Sequence, residues 1–322
     1  MNVLVTGIDG FVGSHLAEAL LKLPAVQLFG IVRDQSSLGH IEHIKEKITC
    51  IECDITSSRQ VEQTIASVRP SKIFHLAGQA FVPFSKEHPY ETFQVNIMGV
   101  VNILEAVHHL SSSDRASCSV LVVGSAEVYG AVPVDRLPIE ETMPLNPANP
   151  YAASKACADL LAQQYRTAFN LDVVVVRPFN HLGPRQSELF VGSALAKQIA
   201  EIKIGKSPPT LLVGNIDPER DFTDVRDVVQ AYIMLLNAQR SHAVYNVSSQ
   251  KAISIRELIH SLCETGGVNV NIVLDKNRQR ANDIPKILGS AQRLRLETGW
   301  RPQISLQETL RDLLRYWEER VG

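Results

Sequence analysis

The chain has 322 residues, 45% of them hydrophobic and 20% charged, with a formal net charge of -2. That length holds one large domain or two small ones, and that apolar content excludes dominant disorder. The balanced charge argues against a nucleic-acid partner, and no apolar run approaches the ~18 residues of a membrane span.

In chain order, positions 2–6 form a continuous apolar run ending in glycine, the pattern of a buried strand. Positions 11–23 carry Val12, Leu16, Ala19, Leu20 and Leu23 at helical spacing and stop before Pro24. Strands follow at 26–32 and 48–51, a helix at 61–68 stopped near Pro70, and a strand at 73–77. A long helix at 90–110, a strand at 119–123, a helix at 151–169 and a strand at 172–176 complete the series. This alternation predicts an α/β, Rossmann-like, doubly wound parallel sheet with helices on both faces. Beyond Phe179 the spacing turns irregular. Gly183-Pro184, Pro208-Pro209 and Asp217-Pro218 punctuate short strands at 211–213, 244–247 and 270–274 and helices near 225–237, 255–264 and 306–320. The expected division is therefore a first region at 1–179 and a smaller mixed α/β substrate region at 180–322, with the chain free to cross between them.

Thr6-Gly7-Ile8-Asp9-Gly10-Phe11-Val12-Gly13 joins the first strand to the first helix. Gly7 permits a tight turn, Gly10 lets the backbone approach a pyrophosphate, and Gly13 lets helix and sheet pack closely. The helix N-terminus is electropositive and offers unpaired N–H groups to the phosphates. The second strand ends Val32-Arg33-Asp34, with Ser36 and Ser37 behind it. A basic residue there accepts a 2′-phosphate, so Arg33 favours NADP(H), while Asp34 keeps NAD(H) open. Asp54-Ile55 would flank the adenine, and Leu76-Ala77-Gly78 would pass beside the cofactor phosphates and ribose.

Tyr151 and Lys155 stand four apart, one turn along a helix face. An ammonium beside the phenol is expected to lower the tyrosine pKa toward neutrality. Ser125 follows the fifth strand, at the sheet edge where such folds bind ligands, and can polarise a carbonyl or hydroxyl.

On these residues, together with His75-Leu76-Ala77 and Arg177-Pro178-Phe179-Asn180, the chain resembles the extended short-chain dehydrogenase/reductases. These are the nucleotide-sugar epimerases, dehydratases and reductases, and the resemblance covers nearly the whole chain. It implies Ser125, Tyr151 and Lys155 as the catalytic set, and hydride transfer at a hexose carbon of a nucleoside diphosphate sugar.

The segments at 179–187, 190–191, 196–199, 213–215 and 220–227 resemble the GDP-sugar branch. Arg280-Ala281-Asn282-Asp283-Ile284-Pro285 keeps that branch's arginine but departs from its usual Arg-Pro-Ser-Glu-Val-Pro at Ala281 and Asp283. By this resemblance Arg220 and Arg280 clamp the pyrophosphate, Asn180 and Lys197 add donors, and Val191 lines the substrate. Asp221, Asp224, Arg226 and Asp227 read as loop-fixing residues.

Glu127, two residues past Ser125, could abstract a C5 proton as dehydration requires. Ala126 stands where deoxythymidine-sugar dehydratases carry Asp, and epimerases carry a small neutral residue at Glu127. Arg-Asp-Phe-Thr-Asp-Val-Arg-Asp resembles the reductases more than the GDP-mannose dehydratases. The resemblance thus implies NADP(H)-dependent reduction of the C4 keto group of a GDP-4-keto-6-deoxy-hexose. GDP-mannose 4,6-dehydration, or another epimerase or reductase activity, is the alternative.

Other residues have plainer readings. Cys50-Ile-Glu-Cys53 lacks a second pair or a following helix start, so all five cysteines read as free thiols. His75 reads as a packed strand residue, and His108-His109 lacks ligands at metal spacing, so no metal is expected. Trp300 and Trp317 read as packing anchors. Tyr129 and His181 are open to either a sugar contact or a structural role. The first residues carry no basic stretch or cleavage site, so a cytoplasmic chain is expected. The 151–169 helix is apolar on more than one face, and the family pairs it with the 90–110 helix, so a homodimer through a four-helix bundle is expected.

Overall fold

The computed structural model describes residues 1–36, 38–275 and 284–322. Its first elements are β1 (Asn2–Thr6), α1 (Phe11–Leu20), β2 (Gln27–Val32), β3 (Ile48–Glu52), α2 (Ser58–Val68) and β4 (Lys72–His75). Then come α3 (Val82–Glu87), α4 (Pro89–Phe93), α5 (Gly99–His108), α6 (Ser112–Ala116), β5 (Ser119–Val123), α7 (Pro150–Phe169) and β6 (Asp172–Pro178). The later part holds β7 (Asn180–Leu182), α8 (Val191–Lys203), β8 (Thr210–Val213), β9 (Glu219–Asp224), α9 (Val225–Asn237) and β10 (Val244–Val247). It ends with β11 (Ala252–Ser254), α10 (Ile255–Gly266), β12 (Asn271–Leu274), β13 (Lys286–Ile287), α11 (Gln292–Thr298) and α12 (Leu306–Val321).

Seven strands form one parallel sheet in the order β10-β6-β5-β4-β1-β2-β3. The order reverses between β1 and β4, which opens a crevice at their C-terminal ends. Side chains alternate along each strand, so β1 serves two cores. Val3 and Val5 pack with Leu16 of α1 and Val228 and Tyr232 of α9. Leu4, between them, packs on the other face with Ile65 of α2, Ile103 of α5 and Ala162 of α7. A separate core joins Leu195 of α8, Leu258 of α10 and Leu313 and Trp317 of α12. Beside it, β7, β9, β11 and β13 make a small sheet, and β12 pairs with β8. No helix among the described residues is long and apolar enough to cross a membrane.

Two expected helices are altered. The first ends at Leu20 rather than 23. The helix expected at 90–110 is broken by a π-helical turn at Gln94–Met98. Asn96 explains the break. Its Nδ2 donates to the Gln79 carbonyl at 2.9 Å and to Ser154 Oγ at 2.9 Å, and its Oδ1 accepts from Gln79 N at 2.8 Å. A wider turn brings this buried amide inward, and such turns recur at functional sites.

Candidate active site

The glycine turn lies at the reversal point. Gly7 has φ +66°, and a Cβ there would stand 3.0 Å from Ala77 Cα. A Cβ on Gly13 would stand 2.1 Å from the Gly7 carbonyl oxygen. Gly10 is the N-cap of α1 and supplies no side-chain cap, so the first-turn N–H groups face outward without one. This cradle of bare backbone fits a pyrophosphate. Asp9, Phe11 and Val12 are half-buried around it.

Thr6 fixes the neighbouring loop. Its buried hydroxyl accepts from Leu76 N at 3.1 Å and Ala77 N at 3.0 Å, and lies 2.8 Å from His75 Nδ1. Burial and nearby Lys155 push the His75 pKa down to about 3, so the ring is neutral. With two N–H donors already on Thr6 Oγ, its single proton goes to Nδ1, and the ring proton sits on Nε2. His75 is thus a packed, hydrogen-bonded strand residue.

At the end of β2, Arg33 is exposed, whereas Asp34 is tied locally, its Oδ1 accepting from Ser36 N at 2.8 Å. Ser37 lies outside the described residues. Asp54 accepts from Thr56 N and Oγ and shapes the loop after β3. Ile55 is buried, and its carbonyl accepts from Asn102 Nδ2 at 2.9 Å. Gly78 lies beside Lys155: a Cβ there would be 3.4 Å from the ammonium nitrogen.

Helix α7 begins at Pro150, with Asn149 as N-cap accepting from Ala152 N at 2.8 Å. This start brings Tyr151 and Lys155 under the end of β5. Lys155 donates to the Val123 carbonyl at 2.8 Å, and Ser85 Oγ accepts from Tyr151 N at 3.2 Å. Ser125 stands just past the end of β5, and its hydroxyl acts on the Tyr151 phenol. Ser125 Oγ also accepts from Glu127 N at 3.1 Å, and the Glu127 carboxylate accepts from Asn149 Nδ2 at 3.0 Å.

The electrostatics depart from expectation. Burial raises the Tyr151 pKa above its ordinary value; the Ser125 hydroxyl opposes this and the Glu127 carboxylate adds to it. Burial lowers Lys155 to about 8. The expected lowering of Tyr151 by Lys155 is therefore reversed: desolvation by burial dominates, and the ammonium is directed at the Val123 carbonyl. A protonated phenol paired with a hydroxyl at the sheet's ligand-binding edge can deliver a proton to a carbonyl oxygen placed between them.

The substrate-side residues are spread over the C-terminal elements. Asn180 opens β7 and pairs in register with Phe222 of β9, two positions from Arg220. Arg220 Nη1 donates to the carbonyls of Glu219 at 2.9 Å and Ile284 at 2.7 Å. Val191 begins α8 and is exposed. Lys197 is held by Glu188 at 2.7 Å. Arg280 lies outside the described residues.

The loop-fixing residues behave as read. Buried Asp221 takes hydrogen bonds from Ser248, Ser249, Gln250 and Gly289. Asp224 pairs with Arg226 and accepts from Thr309, and Asp227 accepts from Gln303 N and Ile304 N. Trp300 and Trp317 are buried and donate to Asp227 O and Ser193 Oγ. Tyr129 is a core residue between Arg177 and Asn246, and His181 stacks on Phe11 at 5.8 Å. All five cysteines are free, and the described residues hold no cluster of His, Cys, Asp or Glu fit for a metal.

Sequence reasoning passed over Ser85, Asn96 and Asn149, and read Thr6 only as the start of the glycine turn. Asn149-Pro150 carried a usable signal, a capping residue followed by proline at N1. Ser85 and Asn96 carried none, because their partners are distant in the chain.

The model of the family described as GDP-mannose 4,6 dehydratase matches residues 4–313. The chain is 38% identical to GDP-6-deoxy-D-mannose reductase of Pseudomonas aeruginosa, over 99% of this chain and 98% of the relative. It is 28% identical to GDP-mannose 4,6 dehydratase 1 of Arabidopsis thaliana, over 96% of this chain and 87% of the relative. It superposes on the structure of RMD from Pseudomonas aeruginosa complexed with NADPH with a TM-score of 0.83 and 35% identity, covering 99% of each chain. The chain belongs to the GDP-mannose 4,6 dehydratase family, within the extended short-chain dehydrogenase/reductases.

Proposed function

We propose that this chain is an NADP(H)-dependent reductase of the C4 keto group of a GDP-4-keto-6-deoxy-hexose, forming GDP-D-rhamnose. The observation that carries the reading is the placement of Tyr151, Ser125 and Lys155 together at the C-terminal edge of β5. Reduction needs a proton donor, and a phenol, whose ordinary pKa is about 10, holds its proton near neutral pH. The full-length similarity to a GDP-6-deoxy-D-mannose reductase, and to a structure holding NADPH, supports the substrate and the cofactor.

A bound nicotinamide supplies the hydride that reduces C4. Tyr151 gives its proton to the C4 oxygen, so the carbonyl becomes a secondary alcohol. The Ser125 hydroxyl donates to that oxygen as its charge develops. Lys155 holds the ribose side and places positive charge near the phenol. Glu127 completes the catalytic group by its charge on Tyr151. The turn at Gly7, Asp9, Gly10, Phe11, Val12 and Gly13, with Leu76, Ala77 and Gly78, holds the dinucleotide; Asp54 and Ile55 flank the adenine, and Arg33 takes the 2′-phosphate. Residues 1–179 thus carry cofactor and chemistry, and 180–322 the nucleotide sugar, through Asn180, Val191, Lys197, Arg220 and Arg280.

The protein works as a homodimer through α4, α5 and α7. Tyr90, Phe93 and Leu160 expose 76%, 38% and 58% of their surface on these helices, an apolar patch suited to a partner. Five free cysteines suit a reducing, cytoplasmic location.

Glu127 favours one second reading, GDP-mannose 4,6-dehydration with this carboxylate as base. Two incubations followed by mass spectrometry separate them. A gain of two hydrogens on GDP-4-keto-6-deoxy-mannose with NADPH is expected. Loss of water from GDP-mannose without added NADPH would favour the dehydratase instead, and silence in both would refute both.

A further inference from the structure

Asn149 joins two parts of the catalytic group through one planar amide. Its Oδ1 accepts from Ala152 N at 2.8 Å and caps α7; its Nδ2 donates to Glu127 Oε2 at 3.0 Å. That is the one hydrogen bond made to the Glu127 carboxylate among the described residues. Glu127 N in turn donates to Ser125 Oγ at 3.1 Å, and Tyr151 lies within the capped turn. The contacts form one path from Ser125 through Glu127 and Asn149 to the first turn of α7, which carries Tyr151. Every other connection in it is backbone or belongs to a reacting side chain. Asn149 is the member that does neither and still sets the distance between the carboxylate and the tyrosine helix.

We propose that Asn149 is a positioning residue that holds the Glu127 carboxylate against the start of α7, and so fixes where that negative charge stands relative to Tyr151. The inference rests on the reading of Glu127 as part of the catalytic group. A cap needs only an acceptor, which Ser and Asp supply as well as Asn. Ionised Asp has no donor, and Ser has only the one oxygen that makes the cap, without the amide arm that reaches Glu127. Capping and positioning are therefore separable by substitution.

The test is a double-mutant cycle. Asn149→Ser keeps the cap and loses the Nδ2 arm that reaches Glu127; Asn149→Asp keeps the cap and sets a second carboxylate against Glu127. Both should melt within a few degrees of the wild type. With GDP-4-keto-6-deoxy-mannose and NADPH, N149S should lower kcat about tenfold, the scale of one hydrogen bond to a charged group, with KM nearly unchanged. N149D should lower it further. In a Glu127→Gln background, N149S should cost less than about twofold, because the charge it positions is gone. An equal loss in both backgrounds would make Asn149 a cap alone and overturn the proposal, as would an E127Q enzyme with wild-type kcat. A crystal structure of N149S gives a readout free of the reaction: the introduced hydroxyl should still cap Ala152 N while the Glu127 carboxylate leaves its present position. An unmoved carboxylate overturns the proposal even if the wild type reduces no keto sugar, an outcome that by itself would sink only the proposed reaction.

Discussion

Thr6→Val offers a direct measure of how the cofactor loop is held. Valine matches threonine in shape, so packing is kept and only the hydroxyl is removed. Three groups then lose a partner: Leu76 N, Ala77 N and His75 Nδ1. An unpaired buried group costs about 1–3 kcal/mol. Leu76 and Ala77 are half-buried and retain some access to water, so the low end applies, and the three together come to about 3 kcal/mol. Urea unfolding followed by circular dichroism should show this loss with the slope unchanged. NADPH affinity, measured by fluorescence titration, should fall as well, because Ala77 packs on Gly7 at the phosphate turn. Thr6→Ser keeps the hydroxyl and should lose about 1 kcal/mol for its missing methyl. A T6V protein within about 1 kcal/mol of wild type would refute the reasoning, as would T6S proving equally damaged.

Three further outcomes are expected. Lys155 acts as the ammonium and is held at about 8, so kcat/KM should be sustained below that pH and decline above it. Lys155→Arg, charged throughout, should lower the rate but abolish the alkaline decline; a decline that persists unchanged would assign it to another group. Arg33→Ala should raise the Kd for NADPH about tenfold by calorimetry and leave that for NADH nearly unchanged, since only the former carries the 2′-phosphate. Leu160→Glu puts a charge in the exposed apolar face of α7 and should convert the proposed dimer to monomers in sedimentation velocity, with secondary structure retained.

The large sheet was legible because its strands are short apolar runs punctuated by glycine and separated by helical periodicity. β1 and the glycine turn show this best: Val3, Leu4 and Val5 are all buried, as expected of a strand covered on both faces. The small sheet was hidden. β9 reads Glu-Arg-Asp-Phe-Thr-Asp, and among the groups that make its buried carboxylates tolerable are Ser248, Ser249 and Thr309, which reach them from far along the chain. Periodicity cannot register such partners. The π turn at Asn96 was hidden for the same reason. Tyr151, Lys155 and Ser125 were found by spacing and by their place after strands. The direction of the Tyr151 shift was not, because it depends on burial, which spacing does not report.

The placement of β10 bears on how the protein is made. This strand covers the outer edge of β6, yet it begins at Val244, whereas β6 ends at Pro178. During synthesis the β6 edge stays open while the intervening segment is produced, with its backbone N–H and C=O groups unpaired. An open edge of Val-Val-Val-Val is a template for a wrong strand, so this interval is when the nascent chain is most exposed to aggregation. Truncation before residue 244 would make that interval permanent. Shortened versions of this chain should accumulate as insoluble protein even when they keep every residue of the nucleotide cradle and the tyrosine helix.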